Sequence, residues 1–259
     1  MRQELLKWLG VGVACWLAAG PSLAADVLPP EAESGWDFTV AAYLWASGIN
    51  GETGVLDQPP EDIDASFSDI LENLDFAAMG LAEARNGPFV LGMDLTYVKL
   101  GAETGLPEGA PAEEIDISVA TWMVTGYAGY SIVDAESFRL DLVGGARLWS
   151  LDTEFNYDGG ALDGMTDSDG ASWVDPVVGA KMRLDLMPDV YVTAWGLVGG
   201  GLSSGSELMW DVMAGAGYDF TDSFSLFAGY RAVSVDYSDD GLVYDIVEQG
   251  PILAAAFRF

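Results

Sequence analysis

From Trp36 onward, apolar residues recur with a period of two, the spacing of a chain that turns alternate side chains to opposite faces of a sheet. The stretch from Phe138 to Trp149 is the clearest case. Phe138, Leu140, Leu142, Gly144, Ala146 and Leu148 hold one parity, and Arg139, Asp141, Gly145 and Arg147 hold the other. Val174, Pro176, Val178, Ala180, Met182 and Leu184 alternate likewise with Asp175, Gly179, Lys181, Arg183 and Asp185. Between Leu208 and Tyr218 the apolar series alternates with Asp211, Gly215 and Gly217. The pattern predicts strands over 36–48, 75–86, 89–101, 114–130, 137–152, 173–187, 190–203, 207–220, 223–238 and 243–259. That makes ten, within a range of roughly eight to twelve for small barrels.

Alternation alone also suits a soluble sandwich, so the connections decide. They run long then short: 49–74, Asn86-Gly87-Pro88, 102–113, Ile132 to Glu136, 153–172, Pro188-Asp189. Loops on one rim and tight turns on the other predict an all-β, closed antiparallel transmembrane β-barrel with both ends of its strand series at the turn side. Trp36, Phe89, Tyr127, Tyr130, Phe138, Tyr191, Tyr218, Phe220, Phe224, Phe257 and Phe259 fall at turn-side strand ends, where an aromatic girdle meets the headgroups.

Several short stretches support this reading: Tyr43-Leu-Trp45 with Gly48, Ser66 to Phe76, Gly144-Gly-Ala-Arg147, Trp173-Val-Asp-Pro176, Gly229-Tyr-Arg231 and Phe257-Arg-Phe259. Through them, nearly the whole chain after residue 25 resembles a group of Gram-negative outer-membrane β-barrel proteins, small barrels of OmpA-like and porin-like kind. The resemblance implies the fold and an outer-membrane location, with no activity attached. It also implies that Phe257 and Phe259 form the terminal aromatic signal read by the outer-membrane assembly machinery, a partner alongside outer-membrane lipid and lipopolysaccharide.

The N-terminal segment has a different character. Arg2 and Lys7 precede an apolar run from Trp8 to Ala19, followed by Gly20-Pro21 and Ser22-Leu-Ala-Ala25, the layout of a secretory signal peptide over 1–25. The run is shorter than the roughly 20 residues that span a bilayer as a helix. Residues 26–35 are then a periplasmic lead into a barrel over 36–259. Cleavage removes Arg2, Lys7, Glu4 and the single Cys15, which leaves 8 basic and 40 acidic residues of the original 10 and 41.

Composition narrows the function classes. A net charge of -31 argues against nucleic acid as a partner. The chain has no His, which removes imidazole bases and ligands, and it carries too little Cys for a thiolate cluster. Barrel proteases, phospholipases and lipid A modifying enzymes resemble one another in needing a His beside Ser or Asp. No pair of carboxylates stands out as an acid–base couple, so the expectation is no enzyme, no cofactor and no resident metal.

Two features could carry function. Arg139, Arg147, Lys181, Arg183 and Arg231 share the polar parity with Asp141, Asp175 and Asp185, so both signs point into the lumen. They read either as a selectivity lining or as an ion-pair ladder filling a narrow barrel. The second feature lies in the first long link. Ser66 and Asp69 form a capping box, and Phe67, Ile70, Leu71 and Leu74 share one face of a short helix. That face can plug the barrel mouth, lie at the membrane interface or meet a partner. The loops are acidic, with Glu103, Glu108, Glu113 and Glu114 in the second and Asp158, Asp163, Asp167 and Asp169 in the third. This is a solvated surface with at most weak divalent-cation binding. The leading expectation is a non-enzymatic barrel with an occluded, charge-lined lumen for envelope structure or surface interaction; the alternative is a small passive pore.

Overall fold

A computed structural model describes residues 35–54, 59–239 and 241–259. The signal peptide expected over 1–25 and most of the lead expected over 26–35 fall outside the described residues. The strands are β1 (Asp37–Trp45), β2 (Gly48–Gly54), β3 (Glu61–Ala65), β4 (Leu74–Asn86), β5 (Phe89–Gly105), β6 (Glu114–Ala135), β7 (Phe138–Asp158), β8 (Met165–Met187), β9 (Val190–Gly199), β10 (Leu208–Thr221), β11 (Phe224–Asp239) and β12 (Leu242–Arg258). One helix, α1 (Phe67–Glu72), joins β3 to β4. No helix among the described residues is long and apolar enough to cross a membrane.

β1 and β4 to β12 form a ten-stranded antiparallel barrel, closed where β1 pairs with β12 from Thr39↔Arg258 to Trp45↔Ile252. Phe38 and Phe259 extend this closure, each donating its amide to the other's carbonyl at 2.9 and 3.0 Å, with their rings stacked at 5.8 Å. β2 and β3 are additional. The chain leaves β1 at Trp45, continues along β12 as β2 (Gly48↔Gln249 to Gly54↔Val243), and folds back as β3.

The parity expected from sequence is the parity observed. Val40, Leu91, Met93, Leu142, Leu148, Val178, Val212 and Leu253 are exposed on the outer wall, while Arg147, Asp175, Asp211 and Arg231 are buried inside. On the turn side Phe89 meets Tyr130 at 5.4 Å and Phe224 meets Phe257 at 5.0 Å. A second group, Phe76, Tyr97 and Trp122, packs with tilted rings on the loop side. Phe89 and Tyr97, eight residues apart on β5, set these rims ~27 Å apart along the strand, or ~20 Å along the barrel axis at a tilt of about 40°. That is close to the height of a barrel's lipid-facing band.

Two expected girdle residues lie elsewhere. Tyr127 and Tyr191 are buried in the lumen, because their parity, and not their type, decides which way they point. Each ring covers a glycine on the neighbouring strand. A Cβ at Gly92 would lie 2.2 Å from Tyr127 Cζ, and one at Gly217 would lie 2.1 Å from Tyr191 Cζ. Gly217→Val is therefore expected to displace Tyr191 and lower stability in urea by about 1–3 kcal/mol. Gly126→Ala, where an added Cβ meets nothing within 4 Å, is expected to leave stability unchanged. Equal losses from both variants would refute this account.

The loop side also departs from expectation. Residues 153–172 continue the ladder as the tops of β7 and β8, joined through a short 3-10 turn at Gly160–Leu162, so a β-ribbon projects where a loop was expected. The first link is the β2–β3 hairpin and α1 together. Ser66 caps α1 as expected. Its amide donates to Asp69 Oδ2 at 2.9 Å, and Asp69's amide donates back to Ser66 Oγ. The Ser66 hydroxyl and amide hold the exposed Asp69 carboxyl below its ordinary pKa.

Candidate functional site: the lumen

The inward positions of the strands form three tiers of charge. In the middle tier Arg231 of β11 donates to Asp94 Oδ1 on β5 at 2.8 Å, to Asp211 Oδ2 on β10 at 2.8 Å and to the Tyr43 hydroxyl on β1 at 3.0 Å. Arg147 of β7 donates to the same Asp211 Oδ2 at 2.5 Å and, through Nε, to Thr125 Oγ1 on β6 at 2.7 Å. Trp195 of β9 completes Asp211 with an Nε1–H bond of 3.0 Å, and Tyr43 donates to Asp94 Oδ2 at 2.9 Å. Seven of the ten barrel strands contribute a side chain here. Arg147 and Asp211 are 0% exposed and Arg231 and Asp94 1%. The Arg231 guanidinium also lies over the Trp45 and Trp195 rings, at 5.1 and 5.0 Å.

Toward the turn side, Glu83 of β4 takes Arg85 Nε at 2.7 Å, the Tyr127 hydroxyl at 2.9 Å and Lys181 Nζ from β8 across the lumen. Arg85 also donates to Asp141 Oδ2 on β7 at 2.5 Å, while Ser131 donates to Asp141 Oδ1 at 2.6 Å. At the rim Arg183 bonds Asp185 and Asp219 at 2.9 Å each, Arg258 bonds Asp219 at 2.9 Å, and Arg183 lies 3.7 Å over the Tyr191 ring. Each tier thus holds two cations and two carboxylates: Arg147 and Arg231 with Asp94 and Asp211; Arg85 and Lys181 with Glu83 and Asp141; Arg183 and Arg258 with Asp185 and Asp219.

Not every residue read from sequence lies where a simple ladder puts it. Arg147, Lys181, Arg183, Arg231, Asp141 and Asp185 enter the tiers. Arg139 pairs instead with Asp134 at 3.0 Å on the adjacent strand, part-exposed at the turn rim. Asp175, although fully buried, forms no ion pair among the described residues. It accepts from Trp149 Nε1 at 3.1 Å and from the Ser206 amide and hydroxyl at 2.8 and 2.7 Å. Ser206 belongs to the β9–β10 connection, which bends inward so closely that a Cβ on Gly205 would lie 2.6 Å from Asp175 Oδ1. Asp94 and Glu83 were not singled out from sequence, and Tyr43 only as part of the Tyr43-Leu-Trp45 stretch. The signal for Asp94 was present in Val90, Gly92, Asp94 and Thr96, which alternate with Leu91, Met93 and Leu95 by the rule that exposed Arg147.

A cavity of about 670 Å³ lies on the turn side of the middle tier, with Glu83, Arg85, Lys181 and Arg231 in its wall. A second cavity, of about 490 Å³, lies on the loop side and is mostly apolar, with Trp45, Met123 and Trp149 in its wall. Phe67, Ile70, Leu71 and Leu74, the apolar side of α1 and its exit, line this second cavity without filling it. Of the acidic loop residues, Glu103 and Glu114 meet Asp116 on the projecting strands, with one carboxylate oxygen of each within 4.8 Å of the others.

Among solved structures the chain is similar to the outer membrane protease OmpT from Escherichia coli, with a TM-score of 0.51 at 11% identity over 86% of this chain and 96% of that one. The chain has the fold of an outer-membrane β-barrel. It is also similar to the translocator domain of autotransporter NalP from Neisseria meningitidis (TM-score 0.43, 16% identity, 88% of this chain and 90% of that one). A third likeness is to the attachment invasion locus protein Ail of Yersinia pestis (TM-score 0.35, 14% identity, 87% and 99%). No protein-family model and no curated protein sequence matches the chain.

Proposed function

We propose that this outer-membrane barrel is non-enzymatic and closed to steady ion flow, and that it serves envelope structure or contact at the cell surface. The observation that carries this reading is the charge balance of the three tiers. A selectivity lining presents an excess of one sign to the passing ion, whereas here each cation is matched within its own tier and the middle tier ties opposite walls together. The absence of His supports the non-enzymatic part. The protease name belongs to the OmpT neighbour, and an 11% likeness carries no activity to this chain.

The second reading, a small passive pore, is favoured by the two cavities that approach the middle tier from opposite sides. Planar-bilayer recording separates the two. The reconstituted barrel is expected to show no stable conducting steps, and Arg231→Ala together with Arg147→Ala is expected to introduce them. Stable, ion-selective steps from the unaltered protein would favour the pore.

Phe257 and Phe259 serve, in this reading, as the signal for the outer-membrane assembly machinery. Phe259→Asp is expected to reduce severalfold the amount of heat-modifiable barrel in the outer membrane, since it removes both the terminal ring and the stack on Phe38. Unchanged surface levels would refute the role.

A further inference from the structure

The barrel wall is not continuous around its loop-side half. β1 pairs with β4 from Asp37↔Arg85 only as far as Ala42↔Gly80. Beyond that point β1 and then β2 follow β12, and Leu74 to Met79 of β4 pair with β5 alone among the described residues. α1 lies in the link that returns across this seam, and its apolar residues remain part-exposed. The seam opens onto the loop-side cavity: Leu44, an outward residue 73% exposed, lines the same space as the inward Trp45, Ala77 and Trp149. The wall of this space is largely apolar, and it contains the carboxyl group of Glu248, hydrogen-bonded to Tyr244.

We propose that this cavity is a binding site for a small hydrophobic molecule carrying one hydrogen-bond donor, which enters sideways from the outer leaflet between β1 and β4. Volume, a largely apolar lining and a single charged-type side chain, Glu248, match what orients a small ligand in an apolar pocket, and about 490 Å³ lies within the usual range for such sites. A molecule dissolved in the acyl chains reaches Leu44 without crossing water, and α1, with Leu71 on the cavity side, sits beside the entrance. Glu248 accepts the donor at the inner end. The site lies on the loop side of the middle charge tier, so it is independent of whether the lumen conducts.

The test uses the refolded barrel in lipid nanodiscs, 1-naphthol as the probe, and tryptophan emission, to which Trp45 and Trp149 contribute from the cavity wall. Saturable quenching is expected, with naphthalene, which lacks the donor, binding roughly tenfold more weakly, in line with the loss of one hydrogen bond. Glu248→Leu is expected to abolish that preference, and Ala77→Phe, which fills the cavity, to weaken both probes at least tenfold; heat-modifiable mobility confirms that each variant is folded. In a Cys15→Ser background, Leu44→Cys and Ala78→Cys joined by a flexible bismaleimide close the seam. Association is then expected to slow at least tenfold with little change in affinity. Binding indifferent to Ala77→Phe and Glu248→Leu would overturn the site, and an unchanged association rate after cross-linking would overturn the sideways entry. Conductance has no bearing on either outcome, so failure here and failure of the closed-lumen reading are separable.

Discussion

Arg231→Met is expected to destabilise the barrel by about 3–5 kcal/mol, measured by urea unfolding in lipid vesicles, because it leaves the buried Asp94 carboxylate without a cation and takes one of two cations from Asp211. Asp94 and Asp211 both bond Arg231 and neither has access to water. Asp211 keeps Arg147 and Trp195, whereas Asp94 keeps only the Tyr43 hydroxyl. The further substitution Asp94→Leu should therefore recover a substantial part of the loss, since an apolar pair of similar volume carries no desolvation cost. Arg139→Ala breaks a part-exposed pair at the rim and is expected to cost at most about 1 kcal/mol. If Arg231→Met and Arg139→Ala had equal effects, the middle tier would not be a buried, interdependent cluster.

Trp173→Ala is expected to have the next largest effect, about 3–5 kcal/mol, as for other buried large-to-small truncations. Its ring is stacked 3.7 Å from Tyr237 at 6° and 5.8 Å from Trp149 at 15°, and its Nε1–H donates to Ser206 Oγ at 2.8 Å. Ser206 in turn holds Asp175, so the truncation also loosens the inward-bent β9–β10 connection. Limited proteolysis is expected to show new cleavage near Leu202 in the variant. Unchanged stability with the connection still protected would mean that the stack is incidental.

The fold was legible because a barrel has to satisfy every backbone group while presenting lipid on one side and its own interior on the other, which writes a two-residue period into the chain. The same period located Arg147, Lys181, Arg183 and Arg231 inside. It did not reveal their partners. Which carboxylate faces which cation depends on where opposite walls approach after closure, and nothing local to Arg147 specifies Asp211, 64 positions away. Asp175 shows the limit most clearly: its parity was right, but its donors come from a connection whose inward bend is permitted by Gly205 and leaves no periodic trace. The upper parts of β7 and β8 were missed for a related reason. Above the bilayer both faces of the ribbon meet water, so Thr166 to Asp169 of β8 are polar on both parities and still continue the ladder.

That ribbon leaves one long margin bare. β8 is paired with β9 only from Val177 onward and the β9–β10 connection covers Val174 to Pro176, so from Met165 to Trp173 it has β7 on one side and no strand on the other among the described residues. An unsatisfied strand margin is a template for an identical margin on a neighbouring molecule, and this one stands outside the bilayer where crowded barrels would meet. Asp167 lies along it, and two copies brought together would set their Asp167 carboxylates near each other. Like charge at this margin opposes edge-to-edge pairing of adjacent barrels. The protection weakens at high ionic strength, where the charge is screened.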